Sequence, residues 1–265
     1  LSENVTLWSD LSGNNRHADL VFSDPAKVDS RVNFNPVVSF DGNDYLRFSS
    51  SPFANSFSSG EAVVVVKDNA FGSCNCGNPY DFGGTSRGFH YTWGNQAVYN
   101  GFGTNDRLGW RPLTLQKLDN KGGVGAMSGD PVDVRDYHIF HTYSAPGDWG
   151  TGFDGQFHAT TSVNTVRFNL AGGNEHIGAT SGNTFRGEIA EIILFDAKLT
   201  NTERQQLNTY LGLKYGIPLR DDLRASNSTL LWDVGNTAGF DEGIAGIGRD
   251  DNGNLNQKQS KSNLD

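Results

Sequence analysis

Alternating and continuous apolar runs, separated by turns rich in glycine and asparagine, predict β-strands along most of the chain. The run at residues 61–67 is nearly continuous, as in a strand at the centre of a sandwich. Residues 137–145 alternate instead, which places His138 and His141 on opposite faces of a strand. A third run, at 189–195, is rich in β-branched and aromatic residues. Together these patterns predict a β-sandwich of roughly ten to thirteen strands.

One segment, directly after the last of these strands, predicts a helix. Thr200 is a good N-cap, and Glu203 stands three residues later, where it completes a capping box. Leu207 and Leu211 continue at helical spacing, and Gly216 close to a proline supplies the stop. One face of this helix is therefore expected to be buried.

Composition and charge narrow the class of protein. The 33 glycines, 17 phenylalanines and single methionine favour an all-β protein with many turns. The net charge of −9, without a cluster of lysine or arginine, argues against nucleic acid or an anionic membrane as a partner. The negative charge agrees with cation binding or with simple solubility. No apolar run approaches the ~20 residues of a membrane span, so membrane insertion is not expected.

The two cysteines limit the possible disulfides and metal sites, and the first residues indicate whether the chain belongs to a longer protein. Cys74 and Cys76 are too few for a disulfide scaffold or a zinc site. A ring closed by Cys-x-Cys would be small and strained, so a free thiol pair and a loop disulfide both stay open. The chain starts without a signal sequence and is expected to be part of a larger multidomain protein.

Motifs at both ends of the first 217 residues resemble LamG-like, concanavalin-like jelly-roll modules of large secreted bacterial surface proteins. W-x-D-x-S-G-N-x-x-x-A from Trp8 and V-x-F-D-G-x-D-Y-L from Val38 are similar to the opening strands of such modules. The strand ending in Leu-Phe-Asp and the helix from Glu203 to Gly216 resemble their closing segment. The resemblance implies an all-β, concanavalin-like (LamG-like) jelly-roll β-sandwich over residues 1–217, with one C-terminal helix.

Beyond this helix the character of the chain changes. Residues 218–265 hold one short apolar strand near 230–234 and are then rich in glycine, asparagine and aspartate. The stretch GIAGIGRDDNGNLNQKQSKS resembles a module that often follows LamG-like domains in gliding-associated and adhesin-like surface proteins of Bacteroidetes. We therefore predict that residues 218–265 are the start of a second β-rich module or a C-terminal appendage.

Calcium is the first candidate cofactor, because it takes roughly six to eight oxygen ligands and turns rich in Asp and Asn supply them. In LamG-like folds a structural calcium lies near the opening turn and the final strand, so the resemblance implicates Asp10, Asn14 and Glu191. The turn holding Asp41 and Asp44 has the same chemistry. The alternative is that all of these are ordinary turn residues, since Asp-Gly and Asn-Gly are common hairpin signals.

Aromatic and acidic residues between 71 and 110 and between 145 and 155 are the candidate ligand contacts. Sugar and peptide sites use flat aromatic faces beside a few polar groups that fix orientation. The alternative is that most of these rings belong to the core. The candidates are Asp81, Tyr91, Trp93, Trp110, Asp148 and Trp149.

Catalysis is not expected from these motifs. Laminarinase-type members of the concanavalin-like fold carry an E-x-D-x-x-E strand, which is absent here. Glu188 and Glu191 are three residues apart on a strand and are expected to face opposite ways. The sequence also lacks a G-x-S-x-G elbow and a phosphate-binding loop.

Together with the resemblance to LamG-like modules, which implies the extracellular bacterial context, the sequence predicts a non-catalytic, calcium-stabilised recognition module of an adhesin, on the cell surface or secreted, that binds glycan or peptide in a lectin-like way. One alternative is a structural spacer that binds nothing specific. The other is a carbohydrate-active enzyme, which would place two carboxylates roughly 5 to 10 Å apart in a groove.

Overall fold

A computed structural model describes residues 2–53, 57–72, 77–81, 91–92, 96–100, 108–118, 127–162, 175–180, 183–236, 239 and 246–261. The strands before the helix are, in chain order, β1 (Ser2–Asn4), β2 (Ala18–Phe22), β3 (Ala26–Val32), β4 (Asn35–Asp41), β5 (Tyr45–Phe48), β6 (Gly60–Asp68), β7 (Tyr80–Asp81), β8 (Val98–Asn100), β9 (Leu108–Arg111), β10 (Gln116–Lys117), β11 (His138–Ala145), β12 (Asp148–Phe153), β13 (Gln156–Thr161), β14 (His176–Ile177), β15 (Ala179–Thr180), β16 (Asn183–Thr184) and β17 (Arg186–Phe195). After them come α1 (Asn201–Tyr215), β18 (Leu223–Arg224), β19 (Leu230–Trp232), a 3-10 turn (Val234–Asn236), β20 (Gly248–Asp250) and β21 (Leu255–Gln257).

Two sheets form the layers of the sandwich. The larger has eight antiparallel strands in the order β1-β3-β4-β17-β6-β11-β12-β13, and the smaller has four in the order β2-β5-β14-β7. Val64 and Phe140 of the larger sheet share one buried cluster with Leu46 and Ile177 of the smaller sheet. The predicted all-β, concanavalin-like jelly-roll sandwich with one C-terminal helix and a short β-rich extension is confirmed.

The central strand β6 is covered on both faces, which explains its continuous apolar run. Val64 and Val66 point into the sandwich core, whereas Val63 and Val65 belong to a second cluster beneath the helix. The neighbouring strand β11 follows the same alternation, because His138 pairs opposite Val66 and His141 opposite Val63. The prediction that these two histidines face opposite ways is confirmed.

The helix α1 begins and ends at the predicted residues. The Thr200 side chain accepts the Glu203 N–H at 3.3 Å, and the Glu203 carboxylate accepts the Thr200 N–H at 2.8 Å. Gly216 ends the helix with φ of 66°, in the left-handed region that glycine adopts without steric cost. Leu211 and Tyr215 lie buried against the outer face of the larger sheet. In the described residues no helix has the length and apolar character that crossing a membrane requires.

The extension packs on this helix. Leu219 and Leu223 are buried in the cluster that also holds Leu211 and Tyr215. The Lys261 N–H donates to the Asn33 side chain at 2.6 Å, which ties the far end of the extension to the turn between β3 and β4. The boundary between residues 217 and 218 remains a prediction.

A β-bulge in β17 overturns one expectation about the carboxylates. The pairing with β6 shifts between Ile189 and Glu191, so Glu188 lies opposite Lys67 and Glu191 lies opposite Val65. Residues 65 and 67 of β6 share one face, and therefore Glu188 and Glu191 also share one face. The prediction that these two carboxylates face opposite ways was wrong, because the bulge adds one residue between them.

Candidate functional site

Three of the aromatic candidates lie inside the sandwich. Tyr91, Trp110 and Trp149 are fully buried and belong to the core cluster. The Tyr91 ring packs edge-on against Phe140 at a centroid distance of 5.2 Å, and Trp110 packs against Phe153 at 5.5 Å. A ring in this position cannot stack on a ligand unless the core opens. These three residues are therefore core residues, as the alternative interpretation of the sequence expected. Trp93, Cys74 and Cys76 lie outside the described residues.

The two acidic candidates already have protein partners, and they lie in different sheets. Asp81, in the smaller sheet, accepts a hydrogen bond from the Thr180 hydroxyl at 2.6 Å and is buried. Asp148, in the larger sheet, accepts from the Tyr143 hydroxyl at 3.0 Å and forms an ion pair with Lys198. The structure therefore does not bring the described ligand candidates together into one site.

The opening turn is held together by Asp10. One oxygen of its carboxylate accepts the Ser12 N–H at 2.8 Å, and the other accepts the Arg16 N–H at 3.0 Å. Burial opposes ionisation, but these donors outweigh it and hold the pKa of Asp10 below its ordinary value. Asn14 donates from its side chain to the Ser12 hydroxyl at 2.9 Å. The polar side chains of this turn thus fix its own backbone.

Glu191, the candidate on the final strand, is held by the end of α1. Its carboxylate accepts hydrogen bonds from Tyr215 at 2.7 Å, Lys214 at 2.8 Å and Tyr210 at 3.2 Å. Burial alone would lower the pKa of Lys214, but the Glu191 charge outweighs it and raises that pKa. Glu188, on the same face, is held separately by Arg31 and Tyr137. Each of these carboxylates therefore has its own cation.

Asp41 and Asp44 share a tight turn at the end of β4. Asp44 is 2% exposed, and one of its oxygens accepts the Asp41 N–H at 2.9 Å. Burial raises the pKa of Asp44, and the neighbouring charge of Asp41 adds to this effect. Both residues carry carboxylate oxygens, which are ligands of the kind that calcium takes. Within the described residues, however, no three side chains of His, Cys, Asp or Glu lie close enough together to hold a metal ion.

A cleft of about 620 Å³ lies beside β17, and we call it the β17 cleft. Its walls are the second half of that strand, the opening segment of the chain, a few apolar residues of the smaller sheet and the end of α1. Leu11, which also lines the cleft, is 92% exposed. The structure thus places Asp10, Asn14 and Glu191 along one cleft, although they do not form a metal site there. The residues that line the cleft include Asp10, Leu11, Asn14, Arg16, Phe48, Phe53, Ile177, Ala190, Glu191, Ile192, Ile193, Leu194, Phe195, Asp196, Lys214 and Tyr215.

The cleft exists because β17 has only one paired edge along its second half. On one side, β6 pairs with β17 from Gly187 to Phe195. On the other side, β4 pairs with it only from Arg186 to Ile189. In the described part of the chain no strand pairs with that second edge from Ala190 onward. Sequence reasoning missed this feature, because the pairing of a strand edge leaves no mark on the local sequence. In the structure, the half-exposed side chains of Ala190–Phe195 accompany the open edge.

A buried ionic network fixes the helix against the sheet. Arg204 of α1 donates to both oxygens of Glu61 in β6, at 2.7 and 2.9 Å, and His141 of β11 contacts the same carboxylate. Burial opposes ionisation of Glu61, but the hydrogen bonds from His141 and Arg204 outweigh it and lower the pKa of Glu61 to about 2. Burial lowers the pKa of His141, despite the attraction of Glu61. The neutral imidazole then donates from Nε2 to Glu61.

Comparison with known families and proteins gives one partial match. Residues 203–265, which cover most of α1 and the whole extension, match a domain family of unknown function, DUF8202. No curated protein matches the chain.

Several solved structures share the fold. Domain 4 of AbnA, an extracellular arabinanase from Geobacillus stearothermophilus, is 13% identical with a TM-score of 0.50, and the match covers 77% of this chain and 97% of that domain. A SAP-like pentraxin from Limulus polyphemus is 13% identical with a TM-score of 0.44, covering 81% and 99% of the two chains. The binding domain of botulinum neurotoxin serotype D is 7% identical with a TM-score of 0.49, covering 83% and 52%. The likeness to domain 4 of AbnA agrees with the β-sandwich described above, and it concerns the fold alone.

Proposed function

We propose that this chain is a non-catalytic recognition module of a secreted or cell-surface bacterial protein, LamG-like and adhesin-associated, that binds glycan or peptide in the β17 cleft. The observation that carries the proposal is the cleft itself. Its lining combines many apolar side chains with a few polar and charged ones, which is the composition of most small binding sites.

The exposed apolar surface around the cleft supports a binding role. Leu11 is almost fully exposed at the rim, and the six residues Ala190–Phe195 are only half-buried although β17 lies in the middle of its sheet. A contiguous apolar patch on a folded protein typically marks an interaction site. Such a patch is not expected on a spacer that binds nothing.

Glycan and peptide are both candidate ligands of the cleft. The Geobacillus domain with the same fold was determined in complex with arabinotriose, which supports a glycan. The unpaired main chain of β17 supports a peptide. The carboxylates Glu188 and Glu191 support a non-catalytic role, because each is paired with a cation and neither is poised as a free acid or base.

A glycan array and a peptide array, probed with three forms of the chain, test this proposal. We expect hits with the wild-type chain and a loss of signal with Leu11→Ser, because Leu11 lines the cleft and contributes little to the core. Leu231→Ser is the matched control, since Leu231 is 53% exposed and lies on β19, away from the cleft. An absence of hits, or hits that Leu11→Ser leaves unchanged, would favour the spacer alternative.

Calcium is the second part of the proposal, and the turn of Asp41 and Asp44 is its best-supported position, because Asp44 is buried beside a like charge. We expect calcium to raise the melting temperature relative to chelator, since a ligand that binds only the folded state stabilises it. Asp44→Asn should abolish the calcium-dependent shift, whereas Asp10→Asn should leave it in place. Identical melting curves of the wild-type chain with calcium and with chelator would remove calcium from the proposal.

A further inference from the structure

The open edge of β17 continues a ladder that is already formed. Over Arg186–Ile189 this edge pairs with Val38–Asp41 of β4, and the part of β4 before Val38 pairs only with β3, on the other edge of β4. In an antiparallel ladder, alternate residues direct both N–H and C=O toward the same neighbour. About half of the main-chain groups of Ala190–Phe195 therefore point into the β17 cleft. Ala190 is the bulge residue, and its carbonyl accepts a hydrogen bond from the Tyr215 hydroxyl at 3.4 Å.

The side chains around this edge differ between the two faces of the strand. Ile192 and Leu194 point toward the sandwich core, where Phe48, Phe53 and Ile177 complete an apolar wall. On the opposite face, Glu191 is bonded to Lys214 and Tyr215. A guest strand beside β17 would therefore meet an apolar wall on one face and a polar wall on the other, and these match the two-residue period of a strand.

The charged residues that line the β17 cleft indicate which side chains a bound strand would carry. Asp10, Glu191 and Asp196 are acidic, while Arg16 and Lys214 are basic, so the cleft carries a small excess of negative charge. Glu191 and Lys214 neutralise each other across 2.8 Å. The remaining lining favours a guest whose polar positions are neutral or basic.

On the basis of the proposed function above, we propose that the ligand of the β17 cleft is an extended polypeptide segment of about six residues, which adds to the larger sheet as a strand between β17 and the opening segment. Its alternate side chains are apolar and enter the wall formed by Phe48 and Ile177. Its other side chains are neutral or basic. Six residues of strand span roughly 20 Å, which matches the length of the open edge.

A tethered strand tests this inference in the full chain. A seven-residue segment, Thr-Val-Thr-Ile-Thr-Val-Thr, is joined ahead of β1 through about twenty Gly and Ser residues, which reach roughly 25 Å on average. Because β1 lies three strands from β17, or roughly 14 Å, the tether can deliver the segment at an effective concentration in the millimolar range. Hydrogen exchange of the amides of Ala190–Phe195 is the readout.

Two control tethers separate strand pairing from general adhesion. One has the same composition without alternation, Thr-Thr-Thr-Thr-Val-Ile-Val, and the other replaces the three apolar residues by proline, which removes main-chain donors. We expect roughly ten-fold slower exchange of the edge amides with the alternating segment and no change with either control. No slowing with the alternating segment, or equal slowing with all three, would overturn the inference.

The outcome is separable from that of the arrays. Array hits that depend on Leu11, together with an edge that stays unprotected, would leave the recognition function standing and remove strand addition. Slower hydrogen exchange at the edge without array hits would support strand addition and contradict recognition of an external ligand.

Discussion

At the scale of single residues, the buried network of Glu61, His141 and Arg204 is the most consequential arrangement for stability. All three side chains are almost completely buried, and they join β6, β11 and α1. A buried ion pair adds little net stability over an apolar pair, but removing one member leaves an uncompensated charge. The network therefore specifies how the helix sits on the sheet.

We predict that acid destabilises the fold through this network. Because the pKa of Glu61 is lower in the folded state than its unfolded value of 4.5, the stabilisation it gives is complete above that value and is lost as pH falls toward 2. His141 acts in the same direction from pH 6.5 downward, since its pKa is also lowered on folding. Urea titrations should show a loss on the order of 2 kcal/mol from Glu61 between pH 7 and pH 3. A profile for Glu61→Gln that is as steep as that of the wild-type chain would contradict this assignment.

At neutral pH, Glu61→Gln should reduce the free energy of unfolding by roughly 3 to 5 kcal/mol, because Arg204 then stays buried without a counter-charge. Asp251→Asn is the control, since it also removes a carboxylate paired with an arginine. Arg249 and Asp251 are 71% and 72% exposed, so this change should have little effect. Chemical denaturation of both variants measures the difference. Equal effects would show that burial does not decide the energy of these pairs.

Several residue placements could not be predicted from the sequence. Tyr91, Trp110 and Trp149 stand among glycines and polar residues, which suggested loops, yet the sandwich closes over them. Local sequence gives the direction of a side chain only where a regular period is present, and short irregular segments have none. The sequence associates Asp10 with the opening turn and Glu191 with the final strand, but it does not reveal that Glu191 pairs with Lys214, which lies 23 residues away along the chain.

At the scale of elements, the helix was the most predictable part of the fold, because its start and stop depend on neighbouring residues. Thr200, Glu203 and Gly216 specify its ends without help from distant parts of the chain. No neighbouring residues of this kind mark the bulge in β17. It arises from pairing with β6, and it reversed the expected orientation of Glu191 relative to Glu188. The open edge likewise depends on where β4 stops pairing with β17, which only the assembled sheet reveals.

Thr200→Ala should lower the free energy of unfolding by about 1 kcal/mol, because the Glu203 N–H loses its acceptor at the start of α1. Thr202→Ala provides the matched control, since it makes the same change two residues later. Thr202 is exposed inside the first turn, where alanine is a better helix former than threonine. Thermal and urea melts should therefore separate the two variants. If both destabilise the chain equally, the cap does not limit the stability of the helix.

At the scale of the whole molecule, the extension and the sandwich share a core through the helix. The sequence indicated a change of character after Pro218, which suggested a boundary there. In the structure, the chain continues directly from Ile217 into the buried Leu219 and Leu223, and these pack on the same helix face as Leu211. The family match over residues 203–265 also runs across this point. The composition shows where the residue pattern changes along the chain. Whether the sandwich and residues 218–265 depend on each other for stability follows only from how they pack.

We predict that a chain ending at Ile217 is destabilised. Burial of a leucine side chain is worth roughly 1.5 to 3 kcal/mol, so the loss of Leu219 and Leu223 removes about 3 to 6 kcal/mol as an upper estimate. The pair Leu219→Ala and Leu223→Ala in the full chain should reproduce most of this loss, whereas Leu231→Ala, at an exposed leucine of the same extension, should have little effect. Equal melting temperatures for the shortened and full chains would instead make residues 218–265 an independent module, since then no part of the sandwich would rely on the extension.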